Sequence, residues 1–359
     1  MEKLVLTSGK ELNIESSDNF RGWDAADEYL LGQDITGKEI LVIGDLNGAL
    51  TCGFYSDGRN ITTYTNSCLN EKFIGSAINS NGVSAQIITD FTMFPERVDY
   101  IVVKLPKSLD MLEYYLQKIV VAYKDVPVVF GGMVKYMPIS MIRLLEKYYK
   151  EVKTSLAVKK ARLAFCSGVL EVEHKNQFPK GYDAFDDIKV LSYPGVFSSE
   201  HLDLGTRFLL KHIEPTIHGS VIDLGCGSGV IGATVKKRYP DTEVVLTDHS
   251  YLAVESARET FRENGVDGTF YVMDILENME NESADYILCN PPFHMDTRIL
   301  TDVALNMFKE SKRVLKKGGI LYVVANKHLG YHKKLRLLYH NLKRVADNEK
   351  FNIFSVRKV

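Results

Sequence analysis

A glycine-rich segment in the second half of the chain has the composition of a ligand-binding loop. The residues Asp223-Leu224-Gly225-Cys226-Gly227-Ser228-Gly229 follow a short apolar run and precede a helical pattern. Glycines let the backbone turn sharply and let a ligand approach closely, and the start of a helix offers free N–H groups. By spacing alone, this loop can serve a nicotinamide, a flavin or an adenosyl cofactor.

Two acidic residues extend this pattern along the chain. Asp248 ends the next predicted strand, where its carboxylate can accept hydrogen bonds from ribose hydroxyls. Asp274 follows the third strand and is placed to accept a hydrogen bond from an adenine amino group. A lone glycine loop is often a plain tight turn, but acids at two successive strand ends favour a nucleoside site.

A second motif, Asn290-Pro291-Pro292-Phe293, follows the fourth predicted strand, at the edge where doubly wound sheets bind their ligands. Two prolines fix the backbone and lack N–H donors, so nearby carbonyl oxygens are left as acceptors. Together with the Asn290 side-chain oxygen, such a carbonyl can hold both hydrogens of an exocyclic amine, while Phe293 stacks on the base. We therefore predict catalytic roles for Asn290, Pro291, Pro292 and Phe293; the alternative is a rigid turn.

Alternating strand and helix patterns surround both motifs. Short runs rich in Val, Ile and Tyr predict strands buried on both faces at 221–224, 243–247, 269–272, 286–289 and 320–324. Helical patterns separate them at 231–238, 252–264 and 303–315, and Gly318-Gly319 is expected to end the last helix. This order predicts an α/β fold with a mainly parallel, doubly wound sheet.

The first half of the chain repeats this organisation. After a predicted strand at 39–43, Gly44-Asp45-Leu46-Asn47-Gly48 aligns with the glycine loop, and Lys104-Leu105-Pro106-Lys107 aligns with the Asn-Pro-Pro-Phe motif. Two matches at nearly equal offsets predict a duplicated fold. We expect one domain at 1–172, a polar linker at 173–189 and a second domain at 190–359.

Composition excludes several classes of protein. The 359 residues, 45% of them hydrophobic, suffice for two domains with cores of their own. The 44 Lys and Arg nearly balance the 46 Asp and Glu, so a uniformly basic coat for nucleic acid is excluded. The sequence has no apolar run of membrane-span length, no signal-peptide core and no CxxC pair among its five cysteines. We expect a cytoplasmic protein without a bound metal or a membrane partner.

The segment 223–227 resembles the first motif of class I methyltransferases that use S-adenosyl-L-methionine. Combined with Asn290-Pro291-Pro292-Phe293-His294, it resembles the ribosomal RNA guanine-N2 methyltransferases, and the resemblance covers nearly the whole chain. The segments 23–30, 154–162 and 324–329 are similar to the large-subunit (23S) family rather than to its small-subunit (16S) sister. The resemblance implies two tandem Rossmann-like methyltransferase domains, the N-terminal one degenerate and used for RNA recognition. It also implies transfer of one methyl group to the N2 amine of a specific guanine.

The resemblance adds residues to the expected cofactor site. The segment before the first strand of the second half is expected to close over the methionine end of the cofactor, where Asp203 meets the ammonium group and Phe197 packs nearby. The alternative is a helix start capped by Ser198 or Ser199. In the first half, Val42 replaces Asp223 and Leu46 replaces Gly227, so the same site cannot form. The predicted cofactor-binding residues are Phe197, Asp203, Asp223, Gly225, Cys226, Gly227, Gly229, Asp248, Asp274 and Asn290.

Basic residues cluster in two segments of the chain. Residues 147–162 contain six Lys or Arg and one acid, and residues 309–344 contain eleven and one. A solvated surface is the ordinary meaning of such runs, but the implied RNA substrate makes them expected phosphate contacts. The predicted RNA-binding residues are Lys104, Lys107, Lys159, Lys160, Arg162, Lys327, His328, Lys333 and Lys334.

Other functions stay open at this point. The same motifs fit a small-subunit guanine-N2 methyltransferase, and an Asn-Pro-Pro segment followed by an aromatic residue also serves methylation of protein glutamine or of adenine N6. A non-enzymatic RNA-binding protein is a further alternative, against which two intact motifs argue. The expected partner is ribosomal RNA, either naked or in an early assembly particle.

Overall fold

In a computed structural model, the chain forms two compact units, residues 1–176 and 177–359. The structure describes residues 2–16, 21–56, 58–171, 177–213, 216–292 and 297–359, and the description of side chains omits 297–302. Among the described residues, no helix combines the length and the apolar composition needed to cross a bilayer.

The first unit is built on a seven-stranded sheet with a separate β1–β2 hairpin. Its strands are β1 (Glu2–Val5), β2 (Glu11–Ile14), β3 (Glu39–Ile43), β4 (Asn60–Tyr64), β5 (Ala85–Ile88), β6 (Tyr100–Lys104), β7 (Val128–Met133), β8 (Tyr149–Thr154) and β9 (Ala161–Val169). Its helices are α1 (Ala25–Leu31), α2 (Ala49–Phe54), α3 (Cys68–Asn81), α4 (Leu109–Ala122) and α5 (Ile139–Leu145). The sheet order is β5-β4-β3-β6-β7-β9-β8, and β9 is antiparallel to both of its neighbours.

The second unit has the same plan. Its strands are β10 (Lys180–Asp183), β11 (Lys189–Ser192), β12 (Ser220–Leu224), β13 (Glu243–Asp248), β14 (Thr269–Val272), β15 (Ala284–Cys289), β16 (Leu315–Asn326), β17 (Lys343–Asp347) and β18 (Phe351–Arg357). Its helices are α6 (Leu204–His212), α7 (Val230–Arg238), α8 (Tyr251–Glu263), α9 (Thr297–Val314) and α10 (Tyr331–Tyr339). The sheet order is β14-β13-β12-β15-β16-β18-β17, with β18 antiparallel to its neighbours.

The two sheets therefore have one strand order, and the predicted duplication of a doubly wound fold is confirmed. Alternate residues of the central strands pack into separate cores on the two faces of the second sheet. Val221 and Leu288 lie in one core, whereas Ile222 and Ile287 lie in the other. Burial on both faces explains why these strands read as continuous apolar runs rather than as alternating patterns.

Two local expectations differ from the structure. Gly318-Gly319 does not end α9; the helix stops at Val314, and both glycines lie inside β16, where its pairing with β15 shifts register. A Cβ on Gly319 would lie 3.1 Å from the carbonyl oxygens of Ala284 and Asp285, so this crowded irregularity favours glycine. In addition, the range 173–189 contains β10 and the first residue of β11, whose hairpin belongs to the second unit and packs against α8.

Candidate functional site

The glycine loop joins β12 to α7 at the carboxyl edge of the second sheet. Gly225, Gly227 and Gly229 all have positive φ angles, of 72°, 53° and 76°. A Cβ on Gly229 would lie 2.8 Å from that of Ala257, so this glycine permits close packing of the loop on α8. A Cβ on Gly227 would lie in ordinary van der Waals contact with Val196 Cγ1 at 3.8 Å and with the Phe197 carbonyl at 3.9 Å, so glycine is favoured there by its φ angle and not by lack of space.

Most N–H groups of this loop are already engaged within the protein. Gly225 and Cys226 donate to the Thr247 carbonyl at 2.9 and 3.0 Å, and Gly229 donates to the Cys226 carbonyl at 2.8 Å. Gly227 donates to Asp248 Oδ2 at 3.0 Å. A pyrophosphate-binding loop needs free N–H donors, so this loop favours a nucleoside ligand without phosphate groups at this place.

Asp248 is positioned by two backbone donors. Its Oδ2 accepts from Gly227, and its Oδ1 accepts from the N–H of Ser250 at 2.9 Å. The carboxylate is partly exposed, and each oxygen keeps a further lone pair for a ribose hydroxyl. Asp274 is also partly exposed and lies two residues beyond Val272, which pairs with Asp248. Both acids thus lie at one edge of neighbouring strands.

Asp223 differs from the other predicted cofactor residues because it is only 1% exposed. Its Oδ2 accepts the N–H of Gly232 at 2.9 Å, which ties the end of β12 to the first turn of α7. Burial raises the pKa of Asp223 to about 8, and nearby Asp248 acts in the same direction. Burial therefore favours the neutral form of Asp223, whose hydrogen bond with Gly232 holds the loop against α7.

Asn290 lies directly after β15 and is oriented by α6. Its Nδ2 donates to Asp203 Oδ2 at 3.2 Å and to Thr206 Oγ1 at 2.9 Å. A carboxylate can only accept, so the amide nitrogen must face Asp203 and the Asn290 Oδ1 atom must face away as a free acceptor. The structure thus presents the atom that the sequence singled out, through two contacts that the sequence did not predict.

Asp203 also caps α6. Its Oδ2 accepts the N–H of Thr206 at 2.8 Å, so neither Ser198 nor Ser199 is the cap considered from the sequence. No hydrogen bond to Asp203 Oδ1 is present among the described residues, and this oxygen remains for a ligand cation. Phe197 is 46% exposed, and its carbonyl lies 3.9 Å from a Cβ placed on Gly227. The segment before α6 therefore passes beside the glycine loop, as expected.

The two cysteines beside the motifs are buried and unreactive. Burial raises the pKa of the Cys226 and Cys289 thiols well above the usual range, so both stay protonated at neutral pH. The part of the chain that the structure describes contains no group of three side chains able to hold a metal ion.

Tyr331 is a residue of this site that the sequence analysis missed. It begins α10, is 1% exposed, and its hydroxyl donates to the Pro292 carbonyl at 3.2 Å. Burial raises the pKa of Tyr331 to about 12, so the hydroxyl keeps its proton. Phe293 lies outside the described residues. The sole sequence signal for Tyr331 is that an aromatic residue follows Gly330. The contact could not be predicted from the sequence because Tyr331 and Pro292 are 39 residues apart.

The equivalent edge of the first unit is occupied by its own side chains. Lys104, in the position of Asn290, places its ammonium group 2.6 Å from both Asp24, which caps α1, and Asp27. The Lys104 side chain is 14% exposed. Burial raises the pKa of Asp27 to about 6. Burial also acts to raise the pKa of Asp24, but there Lys104 outweighs it and the pKa is lowered. This ion pair lies where the second unit has Asn290 and Asp203.

The ribose position is altered as well. Strand register places Thr65 of the first unit where the second unit has Asp248. Thr65 Oγ1 accepts a bond from the N–H of Ser67, as Asp248 accepts one from Ser250, but it carries no charge. Phe91 stacks on Tyr64 next to it, with ring centroids 4.0 Å apart. At this position the first unit thus has a neutral hydroxyl where the second unit has a charged acceptor.

The predicted RNA contacts fall into three groups. The prediction that Lys104 contacts RNA is wrong, because its ammonium group is neutralised inside the first unit and is not available to a phosphate. Lys159 and Lys327 are exposed but form surface ion pairs with Glu28 and Asp347, which water and phosphates can replace. The remaining predicted residues lie on or near the surface of their units and are Lys107, Lys160, Arg162, His328, Lys333 and Lys334.

Models of two protein families match the chain, one in each unit. The RLMG N-terminal domain matches residues 13–169, and the Methyltransferase small domain matches residues 187–355. The two matches meet close to the division between the compact units.

Relatives match nearly the whole chain. The ribosomal RNA large subunit methyltransferase G of Streptomyces avermitilis is 40% identical, over 95% of this chain and 94% of the relative. The protein of that name from Photobacterium profundum is 36% identical, over 95% of this chain and 94% of the relative. A solved T. thermophilus 16S rRNA N2 guanine methyltransferase, in complex with AdoMet and guanosine, covers 100% of this chain and 98% of its own, with a TM-score of 0.80. Because the sequence identity is 18%, this last similarity shows a shared fold and no more.

Proposed function

Because the chain belongs to the ribosomal RNA large subunit methyltransferase G family, we propose that its second unit methylates the N2 amine of a guanine in large-subunit ribosomal RNA. The cofactor is S-adenosylmethionine. The observation that carries the proposal is the orientation of Asn290, whose amide nitrogen is held by Asp203 and Thr206. We place the reaction in the cytoplasm, on naked RNA or an early assembly particle.

The residues at the carboxyl edge of the second sheet fit this cofactor. Asp248 would accept both ribose hydroxyls, Asp274 the adenine amino group, and Asp203 Oδ1 the methionine ammonium group. Gly227 and the partly exposed Phe197 would border the bound molecule. When bound, S-adenosylmethionine supplies a methyl group on a positively charged sulfur, which a weak nucleophile can accept.

Guanine N2 is a weak nucleophile because its lone pair is delocalised into the ring. Asn290 Oδ1 is one acceptor for the amine hydrogens. Tyr331 anchors the Pro292 carbonyl by donating to it, and we assign the Pro291 carbonyl of the same rigid loop as the second acceptor. Two acceptors direct the lone pair toward the methyl group, and Phe293 would stack on the base. No strong base is required, because the amine becomes acidic as it is methylated and releases its proton to water.

The first unit would recognise RNA without binding cofactor. Its Lys104 ammonium group, held by Asp24 and Asp27, lies in the position of the groups that would bind the amine and the methionine end. Calorimetric titration of the full chain with S-adenosylmethionine should therefore give one site per chain. Two saturable sites would contradict the degenerate role of the first unit.

Transfer of a labelled methyl group tests the substrate. The full chain is incubated with labelled S-adenosylmethionine and, in separate reactions, large-subunit RNA, small-subunit RNA or release-factor protein. Label in the large-subunit RNA alone supports the proposal. Label in the protein or in the small-subunit RNA alone would contradict it, and label in none of them would favour a non-enzymatic RNA-binding protein.

A further inference from the structure

The first unit has a second cluster at the edge that corresponds to the substrate edge of the second unit. The adjacent strands β6 and β7 pair Val103 with Phe130, and the corresponding strands β15 and β16 pair Cys289 with Val323. Counting from these registers, Lys107 takes the position of Phe293, and the turn Val134–Tyr136 takes that of Lys327–Leu329. The cluster thus lies at the place that, in the second unit, follows the proposed catalytic strand.

An aromatic ring lies between two cations in this cluster. The Tyr136 ring is partly exposed, and its centroid lies 5.2 Å from Lys107 Nζ and 4.6 Å from Lys135 Nζ. Both lysines are exposed, and neither forms an ion pair with a carboxylate in the described part of the chain. Lys135 most strongly, and then Lys107, lower the pKa of the Tyr136 hydroxyl, and they outweigh the opposite effect of Asp24. The surroundings of the ring are therefore electropositive.

This combination matches the chemistry of single-stranded RNA. Unneutralised ammonium groups attract phosphates, and a tyrosine ring offers a flat surface on which a base can stack. Bases inside an A-form duplex have both faces covered, so the ring suits an unpaired base. Lys104, three residues before Lys107, is excluded from this set because Asp24 and Asp27 neutralise it.

We propose that Lys107, Lys135 and Tyr136 form an RNA-binding site in the first unit, where Tyr136 stacks on an unpaired base and the two lysines contact the flanking phosphates. The choice of ribosomal RNA as the natural ligand rests on the proposed function. The site would hold a nucleotide other than the methylated guanine, and it uses an edge whose cofactor chemistry has been lost.

Fluorescence of a Tyr136→Trp variant of the full chain reports stacking directly. The native Trp23 is 4% exposed and contributes a constant background. The probes are single-stranded decamers of uridylate and of adenylate, an abasic decamer and polyglutamate. Quenching by both base-containing decamers, without quenching by the abasic decamer, is the expected result. No quenching by RNA that binds the variant, or quenching by polyglutamate alone, would overturn the site.

Affinity measurements give an independent reading. Tyr136→Ala should weaken binding of the decamers about tenfold, within the range for loss of one stacked base, whereas Tyr136→Phe should bind like the wild type. Lys107→Ala and Lys135→Ala should each lower the salt dependence by about 0.7 on a log–log plot, the value for one phosphate contact on a single strand. Lys3→Ala, which removes an exposed lysine paired with Glu11 in the same unit but outside both basic segments, is the matched control. Equal affinities for Tyr136→Ala and the wild type would refute stacking.

The wild-type protein is assayed for methyl transfer in parallel, which separates the two proposals. Quenching without any methylation of ribosomal RNA would leave this site standing and remove the proposed function. Methylation without quenching would leave the proposed function and remove this site.

Discussion

Replacement of Asn290 by alanine removes one of the two acceptors proposed for the guanine amine. Asn290 Nδ2 is held at 3.2 Å by Asp203 and at 2.9 Å by Thr206, so Oδ1 is fixed before the substrate arrives. Loss of one such preorganised polar group slows the reacting step by about 10²–10³-fold, equivalent to about 2.7–4 kcal/mol. We expect Asn290→Ala to slow methyl transfer by this amount.

The rest of the site should survive this substitution. Asp203 keeps its bond to the N–H of Thr206 at 2.8 Å, so the cap of α6 persists, and the partly exposed carboxylate is not left buried without a partner. Cofactor affinity should change little, because Asp248 and the glycine loop are untouched. RNA affinity should also change little, because phosphate contacts supply most of it.

A Thr206→Val variant provides a graded comparison. It removes the 2.9 Å contact that orients Asn290 but keeps both the contact with Asp203 and the acceptor oxygen. The net value of one hydrogen bond, about 1 kcal/mol, predicts a loss of about fivefold. Single-turnover kinetics at saturating RNA and cofactor isolate the methyl-transfer step for both variants. A wild-type rate for Asn290→Ala under these conditions would show that the loop is only a rigid turn. A slower rate for Thr206→Val than for Asn290→Ala would show that Thr206 does not act by orienting Asn290.

Three further substitutions test the surrounding groups. Asp248→Ala should weaken cofactor binding roughly 10- to 150-fold, the value of charged hydrogen bonds of about 1.5–3 kcal/mol, and unchanged calorimetric affinity in a folded variant would remove Asp248 from the site. Tyr331→Phe should slow methyl transfer about fivefold by freeing the Pro292 carbonyl, without changing the cofactor Kd; a wild-type rate would show that this tether is dispensable. Because the pKa of Asp223 is raised to about 8 in the folded chain, against about 4 when unfolded, the folded state binds the extra proton and stability falls as pH rises between these values. Asp223→Asn keeps an acceptor for Gly232, and its stability should not fall in this way between pH 4 and 8. Thermal midpoints that change in parallel for both proteins over this range would contradict the raised pKa of Asp223.

The fold was predictable because its signals are local. Short apolar runs mark strands buried on both faces, and the glycine loop requires three positive φ angles within five residues. The same local signals recur in the first half, so the duplication was also readable. The expectation for Gly318-Gly319 failed because pairing of Leu315 with Ala284 ends α9 before the glycines are reached.

Contacts distant in sequence were not predictable in the same way. Lys104 reads as a surface lysine in an altered motif, but Asp24, 80 residues earlier, neutralises it. The contact of Tyr331 with Pro292 joins two elements that no pattern connects. The first contact depends on the packing of α1 against β6 and β7, and the second on the pairing of β15 with β16, so both form only after folding.

The identity of the methylated nucleoside tests the central claim most directly. Large-subunit RNA from cells lacking the protein is incubated with the purified chain and S-adenosylmethionine, digested to nucleosides and analysed by mass spectrometry. The proposed chemistry predicts N2-methylguanosine at a single position with the wild-type chain, and a strong decrease in the same time with Asn290→Ala. Methylation of adenine N6, or N2-methylguanosine formed equally well by Asn290→Ala, would contradict the proposed reaction.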